Sequence, residues 1–189
     1  IAVQSLQAVG VEEAYRFATE NLSLALVPED MDVSPLAMGG LHVGLSTEEM
    51  AAAYACFVNN GIYNEPRTYI RVTRVDNTTG QEVTVLENEG ESHVAMKETT
   101  AYLMTDMLKN AVAAGTGGSA KFNGMQNAGK TGTTNDNKDR YFVGFTPYYV
   151  AAVWTGYEQP EKISYNGNPA IKKKKKRGHP FFCNAFLMD

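Results

Sequence analysis

Metal-binding side chains are scarce in this chain of 189 residues. It has two cysteines, Cys56 and Cys183, without C-x-x-C spacing, and three histidines, His42, His93 and His179, far apart in sequence. Neither set reads as a metal site, and no metal or other cofactor is expected. No stretch approaches the roughly 18 consecutive apolar residues that a membrane-spanning helix needs. The opening residues IAVQSLQAVG lack a basic n-region and an initiator Met, so they do not read as a signal peptide, and the chain reads as a piece of something longer. No internal repeat is visible. Positive charge is sparse except at one place. Residues 172–177, KKKKKR, hold six of the 17 basic residues. Residues 1–171 carry 11 basic against 20 acidic side chains, a net of −9. An acidic body of this kind excludes a nucleic-acid groove.

With 43% hydrophobic and 20% charged residues, the chain suits one globular domain or two small lobes sharing a core. Ala14, Phe17 and Ala18 recur at helical spacing and predict a helix over 11–22. Residues 23–45, with Pro28, Pro35 and Gly39-Gly40, read as loop. Ser46 followed by Glu49 is a capping box, and Met50, Ala53, Tyr54, Phe57 and Val58 mark one face of the helix it starts. Asn60-Gly61 ends that helix in left-handed geometry. Cys56, inside it, reads as a small buried apolar residue rather than a nucleophile. TYIRVTRV at 68–75, the turn Asn77-Thr78-Thr79-Gly80 and then EVTVL form a hairpin. A helix follows from about Glu98 to Ala114, with a core stripe of Met104, Met107, Leu108, Ala111 and Val112, and GTGG at 115–118 breaks it. Strands are predicted over about 124–133, 140–146 and 149–157, the last two paired antiparallel across Thr146-Pro147-Tyr148.

One stretch, GMQNAGKTGTTNDNKDRYFVGF at 124–145, spells two motifs. Gly124 to Thr131 matches the phosphate-binding pattern G-x-x-x-x-G-K-T. That pattern needs a buried apolar strand before it and a helix beginning at Lys130-Thr131. The lead-in SAKFN is polar and short, and GTTNDN cannot nucleate a helix. The second motif, Lys130-Thr131-Gly132, wants an extended strand instead. Gly132 lets a substrate backbone lie close, Lys130 supplies a fixed positive charge, and the hydroxyls of Thr131 and Thr133 can bond a carboxylate or amide. The tripeptide alone is a weak signal.

It is not alone. IAVQSLQAVGVEEAYRFA, MGGLHVGLSTEEMAAAYACFVNNGIYNEPRTYIRVTRV, KETTAYLMTDMLKNAVAAGTGGSAK and AGKTGTTNDNKDRYFVGFTPYYVAAVWTGYEQP occur in the order found in one family. Over residues 1 to about 171 the chain resembles the transpeptidase domain of class A (bifunctional) penicillin-binding proteins. The resemblance implies an α/β (α+β) fold of the serine β-lactamase/D,D-peptidase kind, an antiparallel sheet flanked by helices, incomplete in this chain. It divides residues 1–171 into a helical region over 1–66, a hairpin 67–90, a helix 97–114 and sheet strands 124–157, followed by a basic tail 172–189. It also implies a reaction. A serine attacks the penultimate D-alanine carbonyl of a peptidoglycan stem peptide, and a neighbouring amine resolves the acyl-enzyme into a cross-link. β-Lactams mimic the D-Ala-D-Ala end. Lys130 and Thr133 then become catalytic, and Lys130, Thr131, Gly132 and Thr133 bind substrate. The Thr133 N–H becomes one of two oxyanion-hole donors, worth on the order of 3 kcal/mol. The implied partners are stem peptides and β-lactams, with no nucleic acid. The implied place is the outer face of the bacterial cell membrane, reached by an anchor in the parent protein.

Two elements of the family pattern are missing. None of the seven serines, Ser5, Ser23, Ser34, Ser46, Ser92, Ser119 and Ser164, has Lys three residues later, so no S-x-x-K nucleophile is present. Ser164-Tyr165-Asn166 spells S-x-N but follows the K-T-G instead of preceding it, and carries no role here. The chain is therefore expected to hold one of three active-site corners and to be inactive alone. The alternative is a serine-less module that binds stem peptide or β-lactam without catalysis. After YNGNPA the text departs from the family into IKKKKKRGHPFFCNAFLMD. Five lysines in a row imply an adenine-rich codon run, and one reading is a reading-frame slip there that would make the residues after about Ile171 non-native. The competing reading is a basic tail for anionic lipid or cell-wall polymer. Strand 149–157 is expected to present an uncovered apolar edge.

Overall fold

The computed structural model describes residues 1–163 and, as backbone, residues 182–187. Ser164-Tyr165-Asn166 and the lysine run lie outside the described residues. Helices α1 (Ala2–Val9) and α2 (Val11–Arg16) open the chain, and a wider π turn over Phe17–Asn21 carries the second helix to the end expected for it. The segment 23–45 is less loop-like than its prolines and glycines suggest. A 3-10 turn covers Pro28–Asp30, and helix α3 spans Val33–Met38. Asp32 caps α3 by accepting from Val33 N–H at 2.6 Å, and Gly39 ends it in the left-handed region. Proline in a first turn and glycine past the end are helix boundaries as well as loop signals, and here they bound a helix. The buried Asp30 carboxylate ties the segment together, accepting from Val27 N–H at 3.2 Å and His42 N–H at 2.6 Å.

Helix α4 (Thr47–Val58) starts at the cap read from the sequence. Glu49 N–H donates to Ser46 Oγ at 3.1 Å, and Ser46 N–H donates to Glu49 Oε2 at 2.8 Å. The other carboxylate oxygen, Oε1, accepts from Ala25 N–H at 3.0 Å. Asn60 and Gly61, at φ 51° and 85°, turn the chain away. Cys56 is fully buried, and burial pushes its thiol up to about 11, as suits an inert packing residue. Strand β1 (Ile62–Asn64) pairs with β4 (Ser92–Val94), a small antiparallel pair not evident in the sequence. Between them stands the predicted hairpin, β2 (Arg71–Val75) with β3 (Glu82–Glu87).

Helix α5 (Glu98–Ala113) packs against α4 and the main sheet. Its buried residues are Ala101, Leu108 and Val112. Met107 leaves the expected core stripe and is 56% exposed, because the buried line runs through 101, 108 and 112 and position 107 is rotated off it. The main sheet is antiparallel with order β5-β6-β7-β8, from β5 (Ala128–Thr133), β6 (Arg140–Phe145), β7 (Tyr149–Thr155) and β8 (Phe182–Leu187). One face of it, with Ala128, Val143, Phe145, Val150 and Ala152, packs on Ala51 of α4 and Leu108 of α5. A second cluster behind α4 joins Ala52, Cys56, Tyr63, Ala95, Met96 and Ala101.

The expected bare edge at β7 is corrected by β8, which pairs along it from Tyr149↔Leu187 to Trp154↔Phe182. The backbone groups of an apolar strand demand partners, and the chain's own last strand supplies them. In the sequence the whole of 172–189 reads as a basic tail, with no strand expected there. A chain ending after residue 181 therefore exposes the β7 edge. Light scattering should show it self-associating at concentrations where the whole chain stays dispersed; equal behaviour would mean that β8 protects nothing.

The Ser46–Glu49 cap yields a second expectation. Burial alone raises the Glu49 carboxyl, but its bonds from Ser46 and Ala25 outweigh burial and hold it below the ordinary carboxylate range. A depressed folded-state value means stability that is present above the unfolded value of about 4.3 and lost as pH falls through the folded one. Ser46→Ala should cost about 1 kcal/mol at neutral pH. In Glu49→Gln, the stability difference between pH 6 and pH 3 in urea melts should shrink; an unchanged difference would contradict the cap's electrostatic role.

Candidate functional site

Strand β5 holds all four residues singled out by sequence, Lys130, Thr131, Gly132 and Thr133. The phosphate-loop alternative required a helix start at Lys130-Thr131, and these residues are strand. In the sheet order β5 lies at one end, bonded to β6 along one side only, with no further strand on its other side among the described residues. A polypeptide could add to such an edge through backbone hydrogen bonds.

Strand alternation divides the four residues between two faces. Lys130 shares a face with Ala128 and lies opposite Val143, both in the helix-covered core, but is itself exposed. Its Nζ donates to the Thr131 carbonyl at 2.9 Å. Thr131 and Thr133 point to the other face. There an open groove of about 570 Å³ is lined by Thr116, Thr131, Gly132, Thr133, Arg140 and Phe142 among others, and Lys130 does not line it. The lysine charge and the two hydroxyls thus approach the strand edge from opposite sides. The Thr133 side chain is exposed and makes no hydrogen bond among the described residues.

Two glycines of the strand do different work. Gly132 pairs with Tyr141, and a Cβ on it would lie 3.2 Å from Tyr141 Cβ. Gly129 is enclosed: a Cβ would sit 2.6 Å from the Val143 carbonyl oxygen and 2.9 Å from Gly144 Cα. Tyr141 anchors this region of the sheet to the helix layer by donating its hydroxyl to the Leu45 carbonyl at 3.3 Å. Burial first, and then the Glu49 charge, push that phenol up to about 12.

Beyond Thr133 the chain reverses in a self-satisfied loop. Thr134 Oγ1 accepts from the N–H groups of Lys138 at 3.1 Å and Asp139 at 2.8 Å. Asp136 and Asn137 take left-handed geometry at φ 47° and 57°. Asn137 Nδ2 donates to the Ile163 carbonyl at 2.7 Å, its Oδ1 accepts from Arg140 Nε at 2.7 Å, and Trp154 Nε1 donates to Asp139 Oδ1 at 3.2 Å. The far end of β5 is therefore held from several directions. Sequence reading treated GTGG only as a helix breaker and missed Thr116, whose Oγ1 accepts from Thr131 Oγ1 at 2.8 Å. No local pattern marks such a pair, because only the packing of α5 on β5 brings the turn alongside the strand. No group of His, Cys, Asp and Glu side chains suited to a metal occurs among the described residues.

Known proteins are similar to this chain in sequence and in fold. Residues 5–174 match the family model described as the penicillin binding protein transpeptidase domain. Penicillin-binding protein 1A of Clostridium acetobutylicum is 41% identical over 170 residues, covering 89% of this chain and 20% of that protein. Penicillin-binding protein 1A/1B of Bacillus subtilis is 40% identical over 176 residues, covering 85% of this chain and 18% of that protein. The chain thus spans about a fifth of the length of these relatives. In fold it is similar to the crystal structure of penicillin-binding protein 1A from Haemophilus influenzae, at a TM-score of 0.63 and 18% identity, over 88% of this chain and 30% of that one.

The two glycines separate folding from binding. Gly129→Ala should destabilise by about 1–3 kcal/mol, since backbone surrounds the added carbon. Gly132→Ala should melt within a few degrees of the wild type, at about 1 kcal/mol or less, since only Tyr141 Cβ lies near the added carbon. Thermal melts of both variants check this; equal losses would mean that the opening at Gly132 is not a feature of the strand.

Proposed function

The chain belongs to the penicillin-binding protein transpeptidase domain family, and from that premise we propose that it forms one wall of the active site of a peptidoglycan D,D-transpeptidase. The observation that carries the reading is the placement of Lys130 to Thr133 on an open terminal strand beside a groove. A stem peptide ending in D-Ala-D-Ala lies along β5 as an added strand. The terminal carboxylate meets the hydroxyls of Thr131 and Thr133 and the positive field of Lys130. Gly132 keeps that contact close. The Thr133 N–H points at the oxygen that becomes negative when the carbonyl is attacked. Such a donor is fixed before reaction and counts most in the transition state.

The attacking serine is assigned to a region of the parent polypeptide outside this chain, since no serine here has the S-x-x-K context. The parent acts outside the cytoplasmic membrane, where its substrate is assembled, and β-lactams acylate the same serine. By itself this chain binds and does not turn over. Among the described residues no helix is long and apolar enough to cross a membrane.

Fluorescent penicillin tests the reading. The parent protein should become labelled in a bond that survives denaturing electrophoresis, and this chain alone should not. Durable labelling of the chain alone would mean that the nucleophile has been misplaced. A parent that binds penicillin only reversibly would favour the non-catalytic binding module.

A further inference from the structure

We propose that Thr116 is a positioning residue whose hydroxyl, 2.8 Å from that of Thr131, sets Thr131 to donate to a peptide carboxylate on β5. The inference rests on the proposed reading of β5 as the strand that holds the donor peptide.

Thr116 is carried on a turn with little freedom. Gly117 N–H donates to the Ala111 carbonyl at 3.0 Å, which folds the turn back onto the end of α5. A Cβ on Gly115 would lie 2.8 Å from that same carbonyl oxygen, and one on Gly117 would lie 3.2 Å from Val112 Cγ2. Val112 is in turn fully packed, at 1% exposure. A second bond ties the region to the start of the strand, with Asn127 Nδ2 donating to the Ala120 carbonyl at 2.8 Å. The turn therefore holds β5 at two places, before Ala128 and at Thr131.

The chemistry of the pair follows from a count of protons. A threonine hydroxyl has one proton and two lone pairs, and a carboxylate only accepts. Thr131 gives its proton to Thr116 Oγ1. When a carboxylate arrives, both hydroxyls turn about their C–O bonds: Thr116 donates to Thr131, and Thr131 donates to the carboxylate. Thr116 then polarises the Thr131 donor and keeps its side chain in one rotamer, so the ligand does not have to order it. A neutral C-terminal amide gains much less, because it presents no charge to the polarised proton. Thr116 touches no reacting atom and acts only through Thr131.

The test uses this 189-residue chain, the peptide Nα,Nε-diacetyl-L-lysyl-D-alanyl-D-alanine and its C-terminal amide, followed by NMR of the Thr131 and Thr133 methyl groups. Wild type should prefer the acid. Thr116→Val, which keeps the shape and removes the hydroxyl, should weaken the acid by about fivefold, the effect of one hydrogen bond, and leave the amide unchanged. Thr116→Ser should retain the wild-type preference. Equal weakening of acid and amide in Thr116→Val would reduce Thr116 to a structural support and overturn the inference. An unchanged affinity for the acid would overturn it too. A wild-type chain with no preference for the acid would remove the underlying reading of β5, and the role of Thr116 with it.

Discussion

Helix α4 lies between two apolar layers, and its small side chains set the distance to both. Ala51 meets the sheet through Val143, Val150 and Ala152, while Ala52 and Cys56 meet Tyr63, Ala95 and Met96 on the opposite side. Ala51 and Cys56 are fully buried. Packing at interior density leaves no slack for a larger residue at these positions without moving a whole layer. The same helix fixes the chain before it, through the reach of Glu49 to Ser46 and Ala25. It fixes the sheet too, since Tyr141 bonds the Leu45 carbonyl just ahead of the cap. The position of the terminal strand β5 is thus set by α5 packing directly on it and by the neighbouring strand β6, which α4 and Tyr141 hold.

That position makes β5 usable. A terminal strand presents a row of backbone donors and acceptors, which in most sheets is a liability. Strands β5 and β8 are the two ends of this sheet, and β7 lies inside it. The β7 edge is occupied by β8. Among the described residues the β5 edge stays open, but it is short, carries a charged lysine and two glycines, and is braced by the loop after Thr133 and the turn at Thr116. A braced edge can receive a peptide without reorganising, which is the condition under which polar groups favour binding.

The β2–β3 ribbon contrasts with this. Every residue of both strands is exposed, and among the described residues the two strands pack chiefly on each other. Their cross-strand ion pair, Arg71 Nη2 to Glu87 Oε1 at 3.1 Å, is itself in water and adds little. Two strands alone are marginal, so this ribbon is held only weakly by its own contacts. The tight Asp76 turn, where Oδ1 accepts from Thr78 N–H at 2.7 Å and Thr79 N–H at 3.0 Å, is what keeps its register.

Elements governed by neighbours in sequence were readable. The Ser46–Glu49 cap, the Asn77–Gly80 turn and the extended character of Lys130 to Thr133 follow from interactions that span a few residues, so the residues themselves determine them. Elements governed by distant contacts were not. Helix α3 was concealed among proline and glycine signals that serve helices and loops alike, β1 and β4 are too short to show a period, and Met107 differs from Leu108 only in which way the helix is turned. Composition and motif order were enough to indicate the family and to single out four candidate residues that fall on one strand. Only the folded chain decided that β8 covers β7, that Lys130 and the two threonines take opposite faces, and that Thr116 meets Thr131. These depend on which surfaces lie together once the chain is packed, and a linear string of residues does not record that.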